Sequence, residues 1–242
     1  MESFFSENYE THTINNWIDR SHVNTTEKKL IGQVLKKMNC KAMEAGTGSG
    51  VIAFYLESLG VKNVYAFDII EAMVSKAKHR ANELNSKVDF VQANAIELTC
   101  YEDSKFDYLF YFQQILSMVP HSELPKALEE AIRVGSDKAI YVFSFMDFNA
   151  RWYNGVLLFL RKIALLLQGT KPKYRGIPEL VIDGKINYRF FKKDQFCIQW
   201  YRLEEMNELF KEVGFEVLNS YQGAQLSPKN WPNIYLICKK QL

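Results

Sequence analysis

The run Glu44-Ala45-Gly46-Thr47-Gly48-Ser49-Gly50 places three glycines at alternate positions, and Asp68 follows 18 residues after the last of them. Glycines so spaced let a backbone turn tightly and pass close to a ligand, because no Cβ stands between them. An acidic side chain about 20 residues further on suits a pair of ribose hydroxyls. Together they point to a cofactor that carries a nucleoside. The dinucleotide fingerprint G-x-G-x-x-G needs a third glycine where this chain has Val51, so that pattern fails at one position. A pyrophosphate would also need a free helix N-terminus beside it.

These residues need a frame to hold them. Lys41–Ala45 reads as a strand entering the glycine turn and Val51–Leu59 as the helix leaving it. Val64–Phe67 is a short apolar strand ending at Asp68, Glu71–Leu84 is helical, and Val88–Val91 is a third strand running into Asn94-Ala95. Phe106–Phe112 is nearly all apolar, as a strand covered on both faces should be. A helix over His121–Val134 and a fifth strand over Ala139–Phe145 follow. An earlier helix starts near Thr25 or Thr26, whose hydroxyls can cap it, with Leu30, Ile31, Val34, Leu35 and Met38 as its apolar stripe. Alternation of this kind predicts an α/β fold, a mostly parallel sheet with helices on both faces.

The rhythm breaks near Asp147. Residues 147–200 hold an apolar helix at Gly155–Gln168, a Gly- and Pro-bearing link, and a hairpin about Asp183-Gly184, a pair suited to a type I′ turn. Helix signals resume at Leu203–Val213 with Gly214 as C-cap, and strands Phe215–Ser220 and Ile234–Cys238 close the chain. The whole of 1–242 reads as one domain, with 147–200 an insertion after the fifth strand and 1–24 a polar, aromatic N-terminal segment.

The E-x-G-x-G-x-G turn, the acid after the second strand, Asn94-Ala95 after the third and the end of the fourth strand occur in the order that resembles the class I S-adenosylmethionine (SAM)-dependent methyltransferases of small-molecule type. The resemblance covers roughly residues 25–146 and 203–240. It implies a Rossmann-like sheet of seven strands, the last antiparallel, and SAM as methyl donor with S-adenosylhomocysteine as product. It also implies roles. Glu44 would lie near the methionyl amino group. Gly46, Thr47, Gly48 and Gly50 would form the turn around the methionine and ribose. Asp68 would accept from the ribose hydroxyls and Ile69 would pack on the adenine. Asn94, where the family usually has Asp, would accept from the adenine amino group, and the Ala95 amide would meet a ring nitrogen. Phe112 and Gln113 would sit near the donated methyl. No metal is expected.

Methyl transfer from a sulfonium depends mainly on positioning, worth ~7–11 kcal/mol when reacting atoms are held in line. A general base is needed only for a protonated nucleophile. No catalytic motif is evident, and His121 reads as a helix-start residue. Gln113-Gln114-Ile115-Leu116 is unlike the Asn/Asp-Pro-Pro-Tyr/Phe run of amino-methylating DNA enzymes. There is no Pro-Cys nucleophile of a cytosine C5 enzyme, nor an evident paired-glutamate loop of protein arginine methyltransferases.

The acceptor is then an N or O atom of a small molecule under a lid made by the N-terminus and the 147–200 insertion, which are rich in rings. Tyr9, Trp17, Trp152, Tyr153 and Trp200 are the substrate-side residues this implies. Such walls suit a flat or cationic acceptor, although the same rings also serve to pack a lid on a core. Residues 147–200 carry ten Lys/Arg against four Asp/Glu, a balance of +6 that leaves −4 for the rest of the net +2. A basic lid can steer an anion. The 155–168 helix, apolar around most of its circumference, calls for burial in the lid, a homodimer interface or a membrane surface, the last least favoured. A lipid or isoprenoid-quinone methyltransferase and a non-catalytic SAM-binding protein stay open as alternatives.

The net charge of +2 gives no argument for nucleic acid. No apolar run approaches the roughly 20 residues of a membrane span, and Met1-Glu2-Ser3 does not open a signal peptide. Cys40, Cys100, Cys197 and Cys238 form no CxxC pair, which fits reduced cytoplasmic thiols in a monomer or homodimer.

Overall fold

A computed structural model describes residues 22–171, 174–182, 185–193, 195–227 and 232–241. The first helix, α1 (Thr25–Val34), is capped by Asn24 rather than by a threonine. The Asn24 side chain accepts from the Glu27 amide at 2.8 Å, while the Glu27 carboxylate accepts from the Asn24 amide at 3.1 Å. This reciprocal pair satisfies two otherwise orphaned donors.

Strands β1 (Lys41–Ala45), β2 (Asn63–Asp68), β3 (Asp89–Gln92), β4 (Phe106–Tyr111) and β5 (Gly135–Asp147) are joined through helices α2 (Val51–Ser58), α3 (Glu71–Leu84) and α4 (Leu124–Val134). All four pairings among these strands are parallel. The expected helix start at His121 is a 3-10 turn, His121–Glu123, and Pro125 opens the α-helix proper.

Two alternating cores explain why these sequences take these elements. Along β4 and β5, Tyr111, Tyr141, Phe143 and Phe145 face α4 and a later helix, while Phe110 and Val142 face α1, α2 and α3. Period-two alternation between two buried faces is what a sheet covered on both sides demands.

After β5 the chain forms α5 (Asn154–Leu167), β6 (Gly176–Ile177), β7 (Val181–Ile182), β8 (Lys185–Ile186) and β9 (Ile198–Tyr201). Helix α6 (Leu203–Val213), β10 (Phe215–Gln222), α7 (Gly223–Leu226) and β11 (Asn233–Lys240) follow. The main path of the sheet runs β3-β2-β1-β4-β5-β11-β10, with β11 antiparallel to both neighbours. These are the seven strands expected, but the sheet holds nine. Register accounts for the difference. β4 ends at Tyr111 opposite Phe143, β5 continues, and Trp200-Tyr201 of β9 take the vacated edge beside Met146-Asp147, with β6 paired to β9. Residues 147–200 therefore contribute to the sheet and hold a small core of their own, Phe148, Leu158, Ile177, Phe190 and Trp200. β7 and β8 form the predicted hairpin, whose Asp183-Gly184 turn lies outside the described residues.

Candidate functional site

The path β3-β2-β1-β4 reverses direction between β1 and β4, and a crevice opens beyond the strands' carboxyl ends at such a switch point. A cavity lies there, lined by Gly46 after β1, Asp68 and Ile69 at the end of β2, Asn94 and Ala95 after β3, and Gln113 after β4. Sequence reading singled out these residues; it missed the apolar wall of Phe67, Ile70, Met73, Ala93, Ile115, Met118 and Val119. Ile70 and Met73 adjoin Asp68 in sequence and were within reach. Ile115, Met118 and Val119 carry no signal beyond following β4.

The three glycines answer to three different constraints. A Cβ on Gly46 (φ +65°) would lie 2.4 Å from Ile115 Cγ2, so this position admits the loop after β4. A Cβ on Gly50 (φ +84°) would meet the rings of Phe54 and Phe90 at 2.7 and 2.9 Å. Gly48 (φ +53°) has nothing within 4 Å of its Cβ position and borders the cavity, leaving open space for a ligand.

Asp68 ties the turn to the second strand. Its carboxylate accepts from the Gly48 amide at 2.9 Å and from the Ile70 amide at 3.0 Å. It is 8% exposed, and burial raises its pKa above the usual carboxylate value against the lowering effect of the backbone hydrogen bonds from Ile70, Gly48 and Ile69. A carboxylate offers roughly four acceptor sites, so these backbone bonds still leave acceptor capacity toward the cavity.

Glu44 does not line the cavity. Its buried carboxylate accepts from the Thr47 hydroxyl at 2.6 Å and from the Ala53 amide at 2.8 Å. Ala53 is the third residue of α2, whose N-cap, Gly50, has no side chain to offer. Glu44 thus does the work of an N-cap from the preceding strand, with the charge favoured at a helix N-terminus. Thr47 is its partner in this contact. Its own amide donates to the Phe67 carbonyl at 2.9 Å, holding the turn against β2.

Asn94 turns the chain after β3. Its side-chain oxygen accepts from the Ile96 amide at 3.2 Å. The stretch beyond it is clamped by α4. Glu130 accepts from the Leu98 amide at 2.6 Å, while Arg133 donates to the Leu98 carbonyl at 2.9 Å, the Tyr101 carbonyl at 3.1 Å and Asp103 at 2.6 Å.

After β4, Gln113 (φ 58°) and Gln114 (φ 56°) are consecutive left-handed residues, and neither is glycine. The Gln114 amide donates to the Ser144 hydroxyl at 2.9 Å, which anchors the turn to β5. Strained backbone of this kind concentrates at functional sites, and Gln113 borders the cavity. Phe112 does not; it is buried and stacked on Phe110 with ring centroids 5.7 Å apart.

The substrate-side aromatics are not brought together. Trp152 is 86% exposed, Tyr153 is partly exposed, and Trp200 is buried in the small core, its ring 5.1 Å from the Arg151 guanidinium. None lines the cavity, and Tyr9 and Trp17 lie outside the described residues. Tyr174, within 147–200, and Tyr201, just beyond it, pack on each other with ring centroids 5.4 Å apart, and they too lie outside the cavity lining. Tyr174 stacks on His121 at 3.5 Å between centroids, and its hydroxyl donates to Glu205 at 3.2 Å. Arg175 pairs with the same carboxylate. Burial, first, and the Arg175 cation, second, lower the His121 pKa against the pull of Glu205, and burial pushes the Tyr174 phenol up to about 12. Both are neutral at pH 7. Among the described residues no His, Cys, Asp and Glu cluster could hold a metal ion.

Residues 42–137, from β1 into the start of β5, match the family model of a methyltransferase domain. Solved structures share the fold. A SAM-dependent methyltransferase from Methanosarcina mazei is 21% identical with a TM-score of 0.66, covering 88% of this chain and 97% of that one. The Burkholderia thailandensis 1,6-didemethyltoxoflavin-N1-methyltransferase, solved with 1,6-didemethyltoxoflavin and S-adenosylhomocysteine bound, is 15% identical with a TM-score of 0.65, covering 99% and 86%. A SAM-dependent methyltransferase from Aquifex aeolicus is 19% identical with a TM-score of 0.60, covering 95% and 97%. A comparison with curated proteins returned no match.

Proposed function

We infer that this chain, which carries a class I SAM-dependent methyltransferase domain, methylates an N or O atom of a small acceptor at the mouth of the β1–β4 cavity. The observation that carries this reading is the convergence of Gly48, Asp68, Asn94 and Gln113 on one cavity from four separate strand ends. These residues fit the donor. Asp68 retains acceptor capacity for ribose hydroxyls, and Gly48 leaves open space beside it. Ile69, Ile70, Met73 and Val119 offer an apolar slot for a purine, and the second lone pair of the Asn94 side-chain oxygen is available to an amino group.

Bound SAM supplies an electrophilic methyl group on a sulfonium. The protein's own part is to hold the acceptor in line and keep water out. Gln113, fixed by the left-handed turn, is the polar side chain we assign to the acceptor side of the cavity. The Burkholderia neighbour, whose name records N1 methylation of 1,6-didemethyltoxoflavin, supports a small nitrogen acceptor. A net charge of +2 gives no argument for a nucleic-acid acceptor. We place the reaction in the cytoplasm, where the four unpaired cysteines would stay reduced. The 147–200 segment acts as the substrate lid in this reading, docked by the stack of Tyr174 on His121 after β4.

The test is S-adenosylhomocysteine release from SAM across a panel of heteroaromatic amines, phenols and hydroxy acids. Acceptor-dependent turnover that falls at least about tenfold in Gln113→Ala is expected. Absence of turnover with every acceptor, while SAM still binds, would overturn the assignment.

A further inference from the structure

Helix α5 is inside out. Its buried side carries Asn154, Leu158, Arg161 and Leu165, and its exposed side carries Val156, Phe159, Leu160, Ile163, Leu166 and Leu167. At 100° per residue these two sets fall on opposite sides of the helix. Phe159 is 63% exposed and Leu167 84%. The sequence led us to expect this apolar surface to be buried in a lid or a dimer interface. The structure instead buries Arg161, which donates to the Phe190 carbonyl and to Cys197 Sγ at 3.2 Å. A helix that spends its buried face on an arginine and presents its apolar face outward is built to meet something apolar.

The surroundings say what. Gln168 at the end of α5 donates to the Phe191 carbonyl at 2.8 Å, which brings Phe191 to the helix end, with Lys192 and Lys193 next in the chain. Lys162, Lys171, Lys192 and Lys193 are exposed, as is Phe191. The exposed apolar row is therefore flanked by cations, the pattern of an amphipathic helix lying in the plane of an anionic bilayer. A second copy of the chain fits less well. A two-fold contact sets the same patch against itself, so it would gather two sets of these lysines into one interface. No helix among the described residues is long and apolar enough to cross a membrane, which leaves an in-plane contact.

We propose that the outer face of α5, with Phe191–Lys193, docks this protein on anionic phospholipid surfaces. The inference is independent of which acceptor is methylated. Co-sedimentation with vesicles of phosphatidylcholine containing about one-third phosphatidylglycerol, against pure phosphatidylcholine, tests it. Binding to the anionic vesicles is expected, weakened at high salt. It should fall at least about tenfold in Lys192→Glu/Lys193→Glu, since each basic residue near such a surface contributes severalfold. Loss of binding in Phe159→Asp/Ile163→Asp is expected too. All four positions are exposed, and unchanged SAM affinity in both variants would show that the site survives. Failure of wild-type protein to bind anionic vesicles would overturn the proposal. So would a wild-type dimer in light scattering that becomes monomeric in Phe159→Asp/Ile163→Asp, since the face would then belong to a second copy.

Discussion

Gly46 and Gly48 share a left-handed backbone, yet their surroundings predict different costs for a methyl group. Forcing an L-residue into that region costs roughly 1–2 kcal/mol. Gly48→Ala meets open space and should lose about that much stability. Gly46→Ala adds a 2.4 Å collision with Ile115, and overpacking of this kind costs roughly 1–3 kcal/mol more. Chemical denaturation of both variants reads the difference, and adding Ile115→Ala to Gly46→Ala should recover part of it. Equal losses for the two alanines would remove the packing explanation. Asp68 makes a different claim. Burial holds its carboxyl above the ordinary value of 3.8, so the folded chain binds a proton more tightly than the unfolded chain does. Stability relative to Asp68→Asn should therefore be highest below pH 3.8 and decline as pH rises through the elevated value. A pH series of melts that runs flat or in the opposite sense contradicts this. The place of Asp68 beside the glycine turn was legible in its distance from the glycines. The capping role of Glu44 was not, because it depends on α2 starting at a glycine that has nothing to cap it with.

Strands and helices were legible wherever a burial pattern repeats within one element. The nearly unbroken apolar run of β4 and the terminal glycine of α6, with φ 105°, could be read from a few neighbouring residues. The orientation of α5 could not, because it is set by the Phe190 carbonyl and Cys197, 29 and 36 residues away from Arg161. Nor could the two extra strands, since β9 occupies an edge that exists only because β5 outruns β4. The same scale governs the clamp between α4 and the loop after β3. Arg133 and Glu130 bind backbone groups of Leu98 and Tyr101. Arg133→Ala should cost about 1–3 kcal/mol of stability, the range for hydrogen bonds to charged groups. It should also weaken SAM binding by loosening Asn94-Ala95. Retained affinity with lowered stability would confine the clamp to a structural role.

At the scale of the whole molecule, donor and acceptor functions are divided. The β1–β4 half of the sheet gathers the cofactor cavity from four strand ends. Residues 147–200 carry a net +6 against −4 for the rest of the chain, and most of the large exposed apolar side chains among the described residues. They attach to the frame through β9, the Tyr174–His121 stack and the Arg175–Glu205 pair. This division explains why the cofactor could be read from the chain and the acceptor could not. The former rests on short-range backbone geometry, the latter on how one irregular segment folds over it. The central claim is that Asp68 anchors the SAM ribose at the switch point. Titration calorimetry of SAM into wild type and Asp68→Ala tests it directly. Loss of the two hydroxyl contacts to a buried carboxylate should weaken binding about 100-fold or more, at roughly 1.5–3 kcal/mol per charged hydrogen bond. Equal affinity in the two proteins would contradict the account.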